Sequence, residues 1–88
     1  MRVTKEMLEL KLNIANAVLE EHKHPLRLWH DGGAYGNGPR LYWHKPGDKY
    51  LQEKWATGRM RIGLCWDWVD AFSQGAYTIH RAVKEQGA

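Results

Sequence analysis

Two long stretches of this chain repeat their apolar residues at helical spacing, and two short ones alternate them. In "KEMLELKLNIANAVLEEHKH", Met7, Leu10, Ile14, Ala17 and Val18 share one arc, and Leu8, Leu12, Ala15 and Leu19 fill the arc beside it. Glu6, Glu9, Asn13, Asn16 and Glu20 line the opposite side. Apolar positions three and four apart form one face of a helix, so this stretch predicts an amphipathic helix over 4–23 with a wide buried face. Thr4 suits the N-cap, Glu6 lies in the first turn, and Pro25 stops the helix.

"LRLWH" (26–30) alternates, with Leu26 and Leu28 opposing Arg27 and Trp29. "PRLYWHK" (39–45) does the same, with Leu41 and Trp43 opposing Arg40, Tyr42 and His44. Alternation is the mark of a half-buried strand, and an antiparallel hairpin is the simplest connection. The joining loop, "HDGGAYGNGP", looks at first like a phosphate cradle. It contains neither G-x-G-x-x-G nor a P-loop pattern, and a proline and a strand follow it where a cradle needs a helix N-terminus. Gly36, Asn37 and Gly38 are expected to take positive φ and turn the chain.

"PGDKYLQEKWATG" (46–58) reads as an exposed loop with one helical turn around Tyr50 to Trp55. "RMRIGL" (59–64) fits either a third strand or an approach to the next helix. After it, Trp66, Val69, Phe72, Ala76, Ile79 and Val83 recur at steps of three and four. They predict a helix from Cys65 to Gln74 that continues toward Lys84 unless Gly75 ends it. The fold class is therefore α+β: a long N-terminal helix, an antiparallel hairpin or three-stranded sheet, and a C-terminal helix. Both helices are expected on one sheet face, and the 88 residues form a single small domain, 1–88.

Composition narrows the function classes. The chain has one cysteine, five tryptophans, four tyrosines and a net charge of +3. A single cysteine excludes an internal disulfide and argues against a cysteine-based zinc site. No apolar run reaches membrane-spanning length and no secretory signal opens the chain, so a cytoplasmic setting without membrane contact is expected. Residues 25–61 hold seven Lys/Arg against three Asp/Glu, so the basic excess sits in the middle of the chain. That distribution points to an anionic partner.

Catalytic and metal readings fare poorly. His22 and His24 lie two apart at a helix end and do not share a face, and a metal needs three or four converging ligands. Cys65 sits in the apolar run "GLCWDW" and fits a core position. Asp67 and Asp70, three apart, fit a solvated helix face. No catalytic residues, metal or cofactor are therefore assigned. The aromatic and basic residues carry more: Arg27, Trp29, Arg40, Tyr42 and His44 would share one sheet face if the hairpin registers as drawn.

Three segments in order resemble a family. They are "LELKLNIANAVL", "DGGAYGNGPRLYW" and "TGRMRIGLCWDWVDAFSQGAY". The pattern is similar to small phage- and prophage-encoded proteins with a Leu-rich helix, a Gly-Ala-Tyr-Gly hairpin, and an Arg-Met segment before a helix closing on glycine. Gly33, Ala34, Tyr35, Gly36, Arg40, Leu41, Arg59, Met60, Ala71, Phe72 and Gly75 carry the likeness. Here "GNGP" stands where that pattern has a glycine-aromatic pair, and "IGLCWDW" replaces a more charged helix start. The resemblance implies a small α+β accessory protein acting in the host cytoplasm.

The expected function is non-enzymatic binding of a host or phage protein, inhibiting or adapting it by occluding its surface. Trp29, Tyr35, Arg40, Tyr42, Trp55, Arg59 and Arg61 are the candidate contacts, since Trp, Tyr and Arg dominate binding hot spots. The alternative is nucleic-acid binding through Arg27, Arg40, Lys45, Lys49, Arg59 and Arg61 on a basic aromatic face. A homodimer is compatible with so small a chain.

Overall fold

A computed structural model describes residues 2–33 and 36–86, with side chains as far as Gly75. The element order is α1 (Lys5–Glu21), β1 (Arg27–His30), β2 (Leu41–His44), β3 (Gln52–Trp55) and α2 (Ile62–Gln86). The strands form one antiparallel sheet in the order β1-β2-β3, which is the expected α+β class with three strands.

Helix α1 starts where the Thr4 hydroxyl accepts the Met7 N–H at 3.2 Å. It ends before the proline. The His24 N–H donates to Leu19 O and the Lys23 N–H to Glu20 O, while Lys23 takes φ 57. That is a Schellman motif with lysine in the left-handed position where glycine is usual.

Only one of the two apolar arcs of α1 is buried. Leu8, Leu12, Ala15 and Leu19 are in the core, but Leu10 is 64% exposed, and Ile14 and Ala17 are exposed as well. The wide buried face expected from the sequence is therefore corrected to a narrow one. The reason lies in what flanks the helix. On one side Asn16 meets β1, and on the other Lys11 reaches Asp70 at 2.8 Å and lies over the Trp66 ring. No element covers the arc beyond Lys11 among the described residues. Val3 lies beside Gly63 as Lys11 lies beside Asp70, so α1 and α2 run side by side in the same direction.

The hairpin register pairs Leu28 with Trp43 and His30 with Leu41 on the helix side of the sheet. There Leu28 and Leu41 join Leu8, Leu12, Leu19, Cys65 and Val69 in the core. Trp43 closes that layer between His24, stacked at 5.4 Å, and Phe72, edge-on at 5.8 Å.

Of the two readings of 59–64, the approach to the next helix holds, and the third strand lies elsewhere. It is 52–55, inside the stretch read as a loop with a helical turn, and 59–61 leads into α2 without strand structure. All four β3 residues are exposed, so this strand rests on backbone pairing at the sheet edge and leaves no apolar alternation. Helix α2 begins at Ile62, three residues before the expected start, and passes through Gly75, beside which a Cβ would meet nothing.

The glycine loop also turns differently. Gly36 has positive φ as expected, but Asn37 and Gly38 do not, and Gly32 and Gly33 do. Gly38 is required by crowding: a Cβ there would lie 1.8 Å from Met60 O.

Candidate functional site: the sheet face away from the helices

The register places Arg27 opposite His44, and Trp29 opposite Tyr42, on the face turned away from the helices. Tyr42 pairs onward with Trp55 of β3. The shared aromatic face expected from alternation is thus formed, and Trp55 belongs to it. Tyr42 and Trp55 meet edge to face at 5.9 Å, and the Arg40 guanidinium lies over the Trp55 ring at 4.2 Å.

Part of this face is closed by the chain itself. The segment between β2 and β3 folds back over it, so the Tyr42 hydroxyl donates to Lys49 O and the Lys49 ammonium sits 3.9 Å from the Trp29 ring centre. Tyr42 is only 4% exposed as a result. Burial, with Asp31 and Tyr50 adding to it, pushes the phenol pKa up, so it remains a donor. Between segment and sheet lies a cleft of about 470 Å³ lined by Trp29, Tyr42, His44, Lys49 and Gln52, among others. His44, a buried residue, lines it. Its Nδ1 is 2.7 Å from Lys45 O, which accepts only if Nδ1 carries the proton, and its buried Nε2 has no partner.

What remains open is the outer part of the face. Tyr50 is 96% exposed and Trp55 44%, with Leu51 exposed between them in sequence. Lys54, opposite Trp43 in the register, is exposed on the other side of that strand.

Asp31 organises the end of the hairpin. One carboxylate oxygen accepts the N–H groups of Gly33 and Arg40, each at 3.0 Å, and the other meets Arg59 at 2.8 Å. Burial pushes its pKa up, but those backbone donors and the Arg59 guanidinium outweigh burial and hold it below the usual carboxylate value. His30, its neighbour, is pushed down by burial against the opposing pull of Glu9.

The candidate residues therefore separate. Trp29, Arg40, Tyr42 and Trp55 come together on one face, although Trp29 and Tyr42 lie under the covering segment. Arg59 is engaged by Asp31, and Arg61 is exposed near the start of α2. Tyr35 lies outside the described residues. Of the cations in the nucleic-acid alternative, Arg27 turns back onto His24 O and Leu26 O, and Lys45 lies 3.7 Å from Glu53.

Other chemical candidates have structural employment. The Cys65 thiol is buried, which raises its pKa, and it donates to Pro39 O at 3.4 Å. Asp70 is taken by Lys11 and Gln74 rather than paired with Asp67. Among the described residues, no three potential metal ligands cluster, and no helix is long and apolar enough to cross a membrane.

Sequence reasoning passed over Tyr50 and Leu51. Their signal was present, as two large apolar residues between Lys49 and Gln52 in a stretch otherwise read as exposed. No protein-family model matches the chain, no curated protein matches its sequence, and no solved structure matches its fold.

Proposed function

We propose that this chain works by binding a partner protein through Trp55, Arg40, Tyr50 and Leu51, and acts by covering that partner's surface as an inhibitor or adaptor. One observation supports this above others: Tyr50 and Trp55 are both open to solvent, and the Arg40 guanidinium lies over the Trp55 ring. Trp, Tyr and Arg are the residues that carry most binding energy at protein interfaces. The likeness to small phage proteins supports a host or phage macromolecule as the partner, met in the host cytoplasm. No chemistry is assigned to the chain.

The nucleic-acid alternative has less support. A base-stacking platform needs open rings, yet Tyr42 is buried and Lys49 covers Trp29. The test is affinity capture from host lysate with the full chain and with Trp55→Ala and Tyr50→Ala. A protein retained at fixed stoichiometry by the parent chain and lost with both variants is expected. Capture that ignores both substitutions sinks the reading. Tight binding to random duplex or single-stranded nucleic acid, falling steeply with added salt, would put the alternative in its place.

A further inference from the structure

The sheet has two edges, and they are treated differently. At β1, the side chain of Asn16 accepts the Leu28 N–H at 2.8 Å and donates to Leu28 O at 2.9 Å. The amide takes the place a neighbouring strand would fill, so the sheet does not extend on that side. At the β3 edge, every strand residue is exposed.

The backbone groups on that open edge have an unusual spacing. The Asp31 N–H donates to Arg40 O, and bonded pairs in an antiparallel ladder recur at every second residue. Tyr42 and His44 therefore direct their backbone groups to β1. Their partners across the other ladder, Trp55 and Gln52, direct theirs away from β2. The Ala56 N–H, which donates to Leu41 O, agrees with this phase. A regular strand would present outward groups two residues apart. The bulge between Trp43 and His44 in the register leaves both Glu53 and Lys54 between Gln52 and Trp55.

β3 of a second copy carries the same interval, so two copies laid antiparallel set Gln52 against Trp55 twice over. We infer that the β3 edge pairs with β3 of a second copy of this chain, antiparallel about a two-fold axis, with Gln52 of each copy opposite Trp55 of the other. The charges fit the same register. Glu53 then faces Lys54 of the second copy, and Lys54 faces its Glu53, while a shift by one residue sets Glu53 against Glu53 or Lys54 against Lys54. Opposite charges directly across an antiparallel pair stabilise it and like charges oppose it.

Bulges and lysines on an edge strand normally discourage pairing. Here the Glu53–Lys54 sequence selects one register, in which each lysine meets a glutamate. Since Asn16 seals the far edge, association ends at two copies and a six-stranded sheet, a closed two-fold assembly rather than a fibre. The two Trp55 rings would then lie near the axis on one continuous face. This self-association stands apart from partner capture and does not depend on it.

The test is sedimentation velocity on the full chain from about 1 µM to about 1 mM, spanning weak reversible affinities. A monomer–dimer equilibrium is expected. Glu53→Lys and Lys54→Glu each place like charges across the axis and are expected to weaken the dimer by roughly tenfold or more. An equimolar mixture of the two variants restores dimers, which native mass spectrometry identifies as one copy of each. The double swap E53K/K54E keeps the pairing with signs reversed and dimerises like the parent. Monomer throughout the parent's range, single variants that dimerise as the parent does, or failure of both the mixture and the double swap would overturn the inference.

Discussion

Arg59 and Asp31 are far apart in sequence, yet a guanidinium nitrogen lies 2.8 Å from the carboxylate and locks the approach to α2 against the end of the β1–β2 hairpin. The same carboxylate accepts two backbone N–H groups from opposite sides of the glycine loop. Hydrogen bonds to charged groups contribute about 1.5–3 kcal/mol each, and leaving buried donors unpaired costs more than the bond itself. Asp31→Asn keeps an acceptor but loses the charge, and is expected to cost about 2 kcal/mol.

That cost depends on pH. The folded carboxyl titrates below the usual 3.8 of a free aspartate, so its contribution is full above that value. It is lost as pH falls through the lower folded value. Denaturant melts of parent and Asp31→Asn across the acid range are expected to show a gap that is constant near neutrality and closes below about pH 4. A gap that persists unchanged in strong acid would contradict the assigned role.

Asn16 makes two hydrogen bonds to one residue's backbone, and both are lost in Asn16→Ala. The expected destabilisation is about 1–3 kcal/mol. Hydrogen exchange adds a local readout: the Leu28 amide loses protection in the variant while α2 amides weaken only with global stability.

Lys23 holds a left-handed conformation that costs an L-residue roughly 1–2 kcal/mol. Lys23→Gly removes that strain and gains unfolded-state freedom, so a net stabilisation of about 0.5–1 kcal/mol is expected. A thermal melt checks the sign: a lower melting temperature would argue against the strained cap.

Two glycines in one loop are expected to respond differently. Gly36 has positive φ but open space around it, so Gly36→Ala is expected to cost about 1 kcal/mol. Gly38→Ala drives a methyl into the Met60 carbonyl, and backbone must move. A loss above about 4 kcal/mol, or failure to fold, is expected by circular dichroism.

Much of the site's frame could be read from alternation. Arg27 and Trp29 against Leu28, and Tyr42 against Leu41 and Trp43, place the aromatic face correctly, because a strand half-buried against helices must alternate. β3 was not legible, since a fully exposed edge strand is selected by backbone pairing, which leaves no apolar alternation in Gln52–Trp55. Leu10 misled for the converse reason. Helical spacing shows that residues share a face, but only the placing of α2 and β1 decides which apolar arc is covered. Asn16 and Asp31 escaped notice because their roles lie in contacts to distant backbone, and a polar residue on a polar side carries no mark of that.

The parallel run of α1 and α2 has an electrostatic consequence. Both helices begin at one end of the molecule, where Val3 lies beside Gly63. The aligned peptide dipoles of each helix sum to about half a positive charge at its start, and two such ends side by side repel. Arg2 and Arg61 border the same corner, and Asp67 and the first-turn Glu6 of α1 supply acidic side chains at that end. Dissolved ions screen such exposed charge over about 10 Å at 0.1 M, while the half-buried Asp31–Arg59 pair is screened less. Added salt therefore weakens the repulsion at this corner more than it weakens the Asp31–Arg59 contact.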